Sequence, residues 1–144
     1  MDTQSKLGET FLSRVGYELK RAERYRIFVS LIVLDLGFCR DLLGDKCAER
    51  MPQIEELARS NTRAIDQVSF VESDNMALLF PETSRQGAEI AARRVTGAIR
   101  NYITEVSGQN IGEVIPLEMA SYPDAAGTKT VAMFLEELLH NKRN

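Results

Sequence analysis

Residues 63–83 read RAIDQVSFVESDNMALLFPET. Two apolar runs, VSFV at 68–71 and MALLF at 76–80, face each other across the polar tetrad Glu72, Ser73, Asp74 and Asn75. A short polar connection between apolar runs is the signal of an antiparallel hairpin, and Asp and Asn tolerate the left-handed backbone that such turns need. Side chains along the hairpin alternate between its two faces, so some of Val68, Phe70, Leu78 and Phe80 point into a core.

On the N-terminal side, Leu7, Phe11, Leu12, Val15, Leu19 and Ala22 recur at three- and four-residue spacing across 7–25, which predicts an amphipathic helix. IFVSLIVLDL at 27–36 is a β-branched-rich apolar run, as expected of a strand buried on both faces. Helical spacing returns over 38–60. Pro52 lies near its middle, where a missing N–H and a ring clash predict two pieces. After the hairpin, Thr83 or Ser84 can cap a helix running to about Tyr102, with Ala88, Ala91, Ala92, Val95 and Ile99 on one face. GEVIPLEMASYP at 112–123 reads as a strand, and VAMFLEELLHNK at 131–142 as a closing helix with basic residues at its end. A leading helix followed by β-α-β-β-α-β is the ferredoxin-like or palm order, an α+β sandwich with one extra helix. No linker or repeat divides the chain, so residues 1–144 read as a single domain.

Eighteen Lys and Arg against 21 Asp and Glu give a net charge of −3, so no broad basic field exists for nucleic acid or an anionic membrane. No run approaches the roughly 20 apolar residues that span a bilayer, and MDTQSKLGET lacks a signal-peptide pattern. The expectation is a cytoplasmic protein with reduced cysteines. Cys39 and Cys47 have no matching pair of ligands, and His140 is the lone histidine, so neither a zinc site nor a Ser-His-Asp arrangement is expected.

The segments ELKRAERYRIFVSLIVLDL, RAIDQVSF, ALLFPETSRQGAEIAARRV and HNKRN resemble, in this order and over nearly the whole chain, the GGDEF domain of diguanylate cyclases, which condense two GTP into cyclic di-GMP. The resemblance puts the signature Gly-Gly-Asp/Glu-Glu-Phe at Glu72, Ser73, Asp74, Asn75 and Met76. Glycines let backbone N–H groups approach a phosphate without a Cβ in the way, and Glu72 puts an anion there instead. Asp35 and Asp74 fall on metal-ligand positions of the family, and Leu36 on one that lends a backbone carbonyl. Two carboxylates at neighbouring strand ends can hold Mg²⁺. Gly37 stands where a second Asp is usual, and Mg²⁺ is not expected as a resident cofactor. Leu43 and Met51-Pro52 stand where the resembling enzymes read guanine, and Leu139 replaces a phosphate-binding Lys beside Arg143. The family's opening motif is reduced to Asp2 and Leu7. What these departures imply is an inactive cyclase homologue with no catalytic residues.

Arg63 and Asp66 match the family's Arg-x-x-Asp inhibitory motif, and Arg94 falls on a further arginine of that site, which the resemblance implies is a cyclic di-GMP site. Arginine forks suit phosphates and guanine O6/N7, and Asp66 can accept from guanine N1 and N2. Arg63 and Asp66 also fit a plain i, i+3 ion pair, Arg94 a solvated helix face, Asp35 a local cap and Asp74 a turn former. Three readings follow: a cyclic di-GMP receptor, a module that binds a protein partner or a second copy through the leading helix and hairpin, and, ranked last, a domain with residual cyclase activity. Under the first, Arg63→Ala is expected to abolish binding at almost no cost in stability.

Overall fold

The computed structural model describes residues 3–71, 74–110, 115–123, 130–133 and 136, with side chains from residue 10 onward. Helix α1 (Thr3–Tyr25) leads into strand β1 (Val29–Asp35). Two helices follow, α2 (Phe38–Leu43) and α3 (Cys47–Ser60), joined by a single 3-10 turn at Gly44–Lys46. The hairpin is β2 (Gln67–Phe70) and β3 (Asn75–Pro81), and α4 (Arg85–Ser107) and β4 (Leu117–Tyr122) complete the sheet. The strands lie in the order β2-β3-β1-β4 and every neighbouring pair is antiparallel, the ferredoxin-like palm arrangement predicted from the sequence.

Period-2 alternation in β1 and β3 divides the core into two layers. Ile32 and Leu34 in β1, with Met76, Leu78 and Phe80 in β3, pack with Ile54 and Ala58 of α3 and Ala88, Val95 and Ile99 of α4. Val29, Leu31, Val33, Ala77 and Leu79 point the other way, onto Phe11, Leu12, Val15 and Leu19 of α1. An apolar β1 is therefore required on both faces, which is why its sequence shows a continuous run rather than alternation. Val68 and Phe70 both join the α3/α4 side.

The helix expected over 38–60 is indeed in two pieces, but the break is not at Pro52. Gly44 makes it, with φ 57° and ψ −129°, a backbone that side chains with a Cβ rarely adopt. Pro52 sits inside α3, near its N-terminal end. There it removes only the N–H that would bond the Ala48 carbonyl, and packing of Ile54 and Ala58 carries the helix through. Ser84, not Thr83, caps α4, its hydroxyl accepting from the Gly87 N–H at 3.3 Å. That helix continues past Tyr102 to Ser107 and stops at Gly108, which is left-handed at φ 73°. Residues 131–133 and 136 are helical, and Val131 is buried on the α1 side. The rest of the helix predicted over 131–142, including Leu139 and His140, lies outside the described residues, as do Asp2, Glu72, Ser73 and Arg143. Among the described residues no helix is long and apolar enough to cross a membrane.

Candidate functional site

The candidate residues lie at two ends of the sheet. In the β1–β3 ladder Asp35 pairs with Asn75 at one end and Val29 with Pro81 at the other, six residues away. That separates the ends by roughly 20 Å along the strand.

At the Asp35 end, the Asp35 carboxylate accepts the Gly37 N–H at 2.9 Å, so it fastens the segment entering α2. A Cβ added at Gly37 would meet Asp35 Oδ1 at 3.1 Å and Asp74 Oδ2 at 4.0 Å, so both carboxylates flank this glycine. Asp74 is paired with Arg40 of α2, whose Nε lies 3.0 Å from Asp74 Oδ1. Its backbone carbonyl accepts from the Leu36 N–H at 2.9 Å. Among the described residues no three Asp, Glu, His or Cys groups gather as a metal set. One carboxylate is paired with a guanidinium and the other accepts a backbone N–H, so a divalent ion here would compete with both for its oxygen ligands. Beside them a cavity of about 610 Å³ is walled by Cys47, Ala48, Met51 and Phe70 and edged by Arg40, Asp45 and Asp74. Burial, then the neighbouring Cys47, then Asp74 push the Cys39 thiol up to about 12, and burial first also raises Cys47. Neither is an activated nucleophile.

At the Pro81 end, the three residues singled out in the sequence come together. Arg63, on the α3–β2 connection, grips Asp66 through Nε to Oδ2 at 3.4 Å, Nη2 to Oδ1 at 3.0 Å and its own backbone N–H to Oδ2 at 2.8 Å. The Asp66 side chain is only 2% exposed, so Arg63 is its charge partner against burial. Arg63 Nη2 also donates to the Pro81 carbonyl at 2.9 Å and to the Thr83 hydroxyl, which itself donates to Pro81 O at 2.9 Å. Arg94 projects from α4, and its Nε donates to Asn61 O at 3.0 Å. Among the described residues no further hydrogen bond engages Arg63 Nη1 or either Nη of Arg94. Arg63, Asp66 and Arg94 line one cavity of about 330 Å³, with Phe80, Ile90 and Ala91 as apolar wall and Glu82 and Thr83 at the rim.

This geometry changes two expectations. Both Asp66 oxygens already accept from Arg63, so Asp66 orients the arginine rather than presenting an open acceptor to guanine. Arg63 is a clamp between two loops, so its removal is not stability-neutral. Reading the sequence missed Thr83, Asn61 and Arg40. Thr83 and Asn61 carried only the signals of a cap and a helix end, and Arg40 that of a solvated helix residue.

No family model matches the sequence, and no curated protein matches it. Solved structures do. The diguanylate cyclase SiaD of Pseudomonas aeruginosa, solved with its activator SiaC, superposes with a TM-score of 0.71 at 21% identity over 94% of this chain and 54% of SiaD, so the chain spans about half of SiaD. The GGDEF domain of YfiN from the same organism gives 0.63 at 20% identity over 94% and 88% of the two chains. For the GGDEF domain of DgcB from Caulobacter crescentus, solved in complex with cyclic di-GMP, the values are 0.59 at 14% over 94% and 84%. TM-scores of 0.59 to 0.71 over 94% of the chain carry the conclusion: this chain has the fold of the GGDEF domain of diguanylate cyclases.

Proposed function

We propose that this domain is a catalytically inactive GGDEF-fold signalling module that binds cyclic di-GMP in the groove of Arg63, Asp66 and Arg94. The observation that carries the reading is that these three residues, up to 31 positions apart in the chain, line a single cavity with uncommitted guanidinium donors above an apolar wall. Such a groove suits a ligand that joins anionic phosphates to planar bases, since guanidinium groups bond phosphate and stack on rings. Inactivity is supported by the opposite end of the sheet, where Arg40 is paired with Asp74. In a compartment that supplies the nucleotide, the cytoplasm, the domain reads the ligand without making it.

Calorimetric titration with cyclic di-GMP, with GTP plus Mg²⁺ in a parallel cell, tests this. Saturable micromolar heat from the cyclic dinucleotide and none from GTP is the expected result; silence in both refutes the receptor, and turnover of GTP refutes inactivity. The competing reading, a module for protein contact or self-association, is favoured by Tyr17 and Tyr25 of α1, 57% and 62% exposed. It predicts a dimer in light scattering that Tyr17→Ala with Tyr25→Ala dissociates.

A further inference from the structure

Arg21 on α1 reaches two carboxylates at once. Its Nη1 donates to Glu18 Oε1 at 2.9 Å and its Nη2 to Glu82 Oε2 at 2.8 Å. Glu18 is 4% exposed and lies 3.2 Å from Arg14 Nη2, so the α1 side of this network is anchored. Glu82 belongs to a different part of the fold, the connection between β3 and α4, and adopts φ 53°. For a residue with a Cβ this left-handed backbone is costly and persists only where neighbours impose it.

Those neighbours are Pro81 and Thr83, and both are held by Arg63. The Thr83 carbonyl also accepts from Ser30 Oγ at 2.9 Å, and that hydroxyl lies 2.8 Å from Ser121 Oγ. Residues 81–83 are therefore gripped from three directions: by α1 through Arg21, by the α3–β2 connection through Arg63, and by the sheet through Ser30. Glu82 and Thr83 also form the rim of the groove. The grip from Arg63 is the one a ligand would disturb, because the uncommitted Nη1 belongs to the same rigid guanidinium as the Nη2 that holds Pro81 O and Thr83 Oγ1, so a phosphate that draws Nη1 outward pulls Nη2 off the turn.

We infer that the 81–83 turn is a joint through which α1 and the Arg63 groove set each other's state, with Arg21 and Glu82 as positioning residues. This rests on the anion-binding reading of the groove. A ligand that draws Arg63 outward unbraces the left-handed turn, slackens Glu82 against Arg21 and frees the last turns of α1. By linkage, weakening Arg21–Glu82 favours the ligand-bound groove by the same factor.

Amide hydrogen exchange tests the joint, first without ligand. In Arg63→Lys, which keeps the charge and loses the fork, and in Glu82→Gly, which removes the carboxylate while suiting the left-handed backbone, exchange at residues 21–25 should rise about 3- to 5-fold, the scale of losing one exposed ion pair. The centre of β1 should stay protected. If Arg63→Lys alters only residues 61–66 and 81–84, the joint is overturned, whatever the groove binds. With cyclic di-GMP added, wild type should show the same rise at 21–25 and Arg21→Ala should bind about 2- to 5-fold more tightly. Binding with no change in α1, or weaker binding by Arg21→Ala, overturns the joint and leaves the receptor standing. Absence of any binding removes the receptor reading, and the ligand-free variants still decide whether groove and α1 are coupled.

Discussion

Replacing Arg63 with alanine removes a guanidinium that serves Asp66, the Pro81 carbonyl and the Thr83 hydroxyl together. Asp66 keeps one bond, from the backbone N–H of residue 63, and its Oδ1 loses the guanidinium that held it. Breaking a buried ion pair by deleting one partner costs about 3–5 kcal/mol when both charges are dry. Here the arginine is half-exposed and the carboxylate 2% exposed, so water enters on one side. Discounting for that screening leaves about 2–3 kcal/mol. For a domain of this length that is a fall in Tm of roughly 6–10 °C. Urea unfolding followed by far-UV circular dichroism measures it, in a double-mutant cycle with Asp66→Ala. The cycle isolates the pair, and a coupling of at least about 1.5 kcal/mol is expected. A loss below about 0.5 kcal/mol, the size of an ordinary surface substitution, would refute the clamp. It would also restore the expectation, drawn from the sequence, that Arg63 is a ligand contact and nothing else. The result governs how any binding experiment is read, because loss of binding in Arg63→Ala counts only at a temperature where the variant is folded.

Gly44→Ala should destabilise by about 1–3 kcal/mol through backbone strain. No atom lies within 4 Å of the added Cβ, so an unchanged midpoint in the same urea assay would mean the break in the helix does not depend on φ 57°. Cys39 gives a pH dependence. Its folded pKa of about 12 exceeds the unfolded 9.0, so its contribution is present in full below pH 9 and is lost as pH rises from 9 toward 12. The slope from this one group approaches about 1.4 kcal/mol per pH unit, and Cys39→Ala should remove it. Parallel alkaline slopes for the two proteins would show that the thiol is not shielded. Ser84→Ala should cost about 1 kcal/mol by stripping the α4 cap, measured as a shift in urea midpoint with unchanged slope.

How much of this was legible beforehand depends on the range of the signal. VSLIVLD in β1, the paired runs of the hairpin and the alanine stripe of α4 each announce themselves within a dozen residues, because periodicity is set by local backbone geometry. From these the element order followed, and with it the palm fold. The spacing of Arg63 and Asp66 was equally visible. Sequence could not decide between a glycine and a proline as the helix breaker, since that depends on whether Ile54 and Ala58 find a core to hold α3 straight past Pro52. Nor could it allocate hydrogen bonds. Arg63 reaches Pro81 and Thr83 across 18 and 20 residues, Arg94 reaches Asn61 across 33, and Arg21 reaches Glu82 across 61. A guanidinium has five donors and no sequence rule says which acceptors the folded chain will bring to them. The sequence by itself therefore determined the sheet and its two faces, whereas only the tertiary structure decided that Asp66 is spoken for, that Arg40 holds Asp74, and that residues 81–83 touch both Arg63 and Arg21.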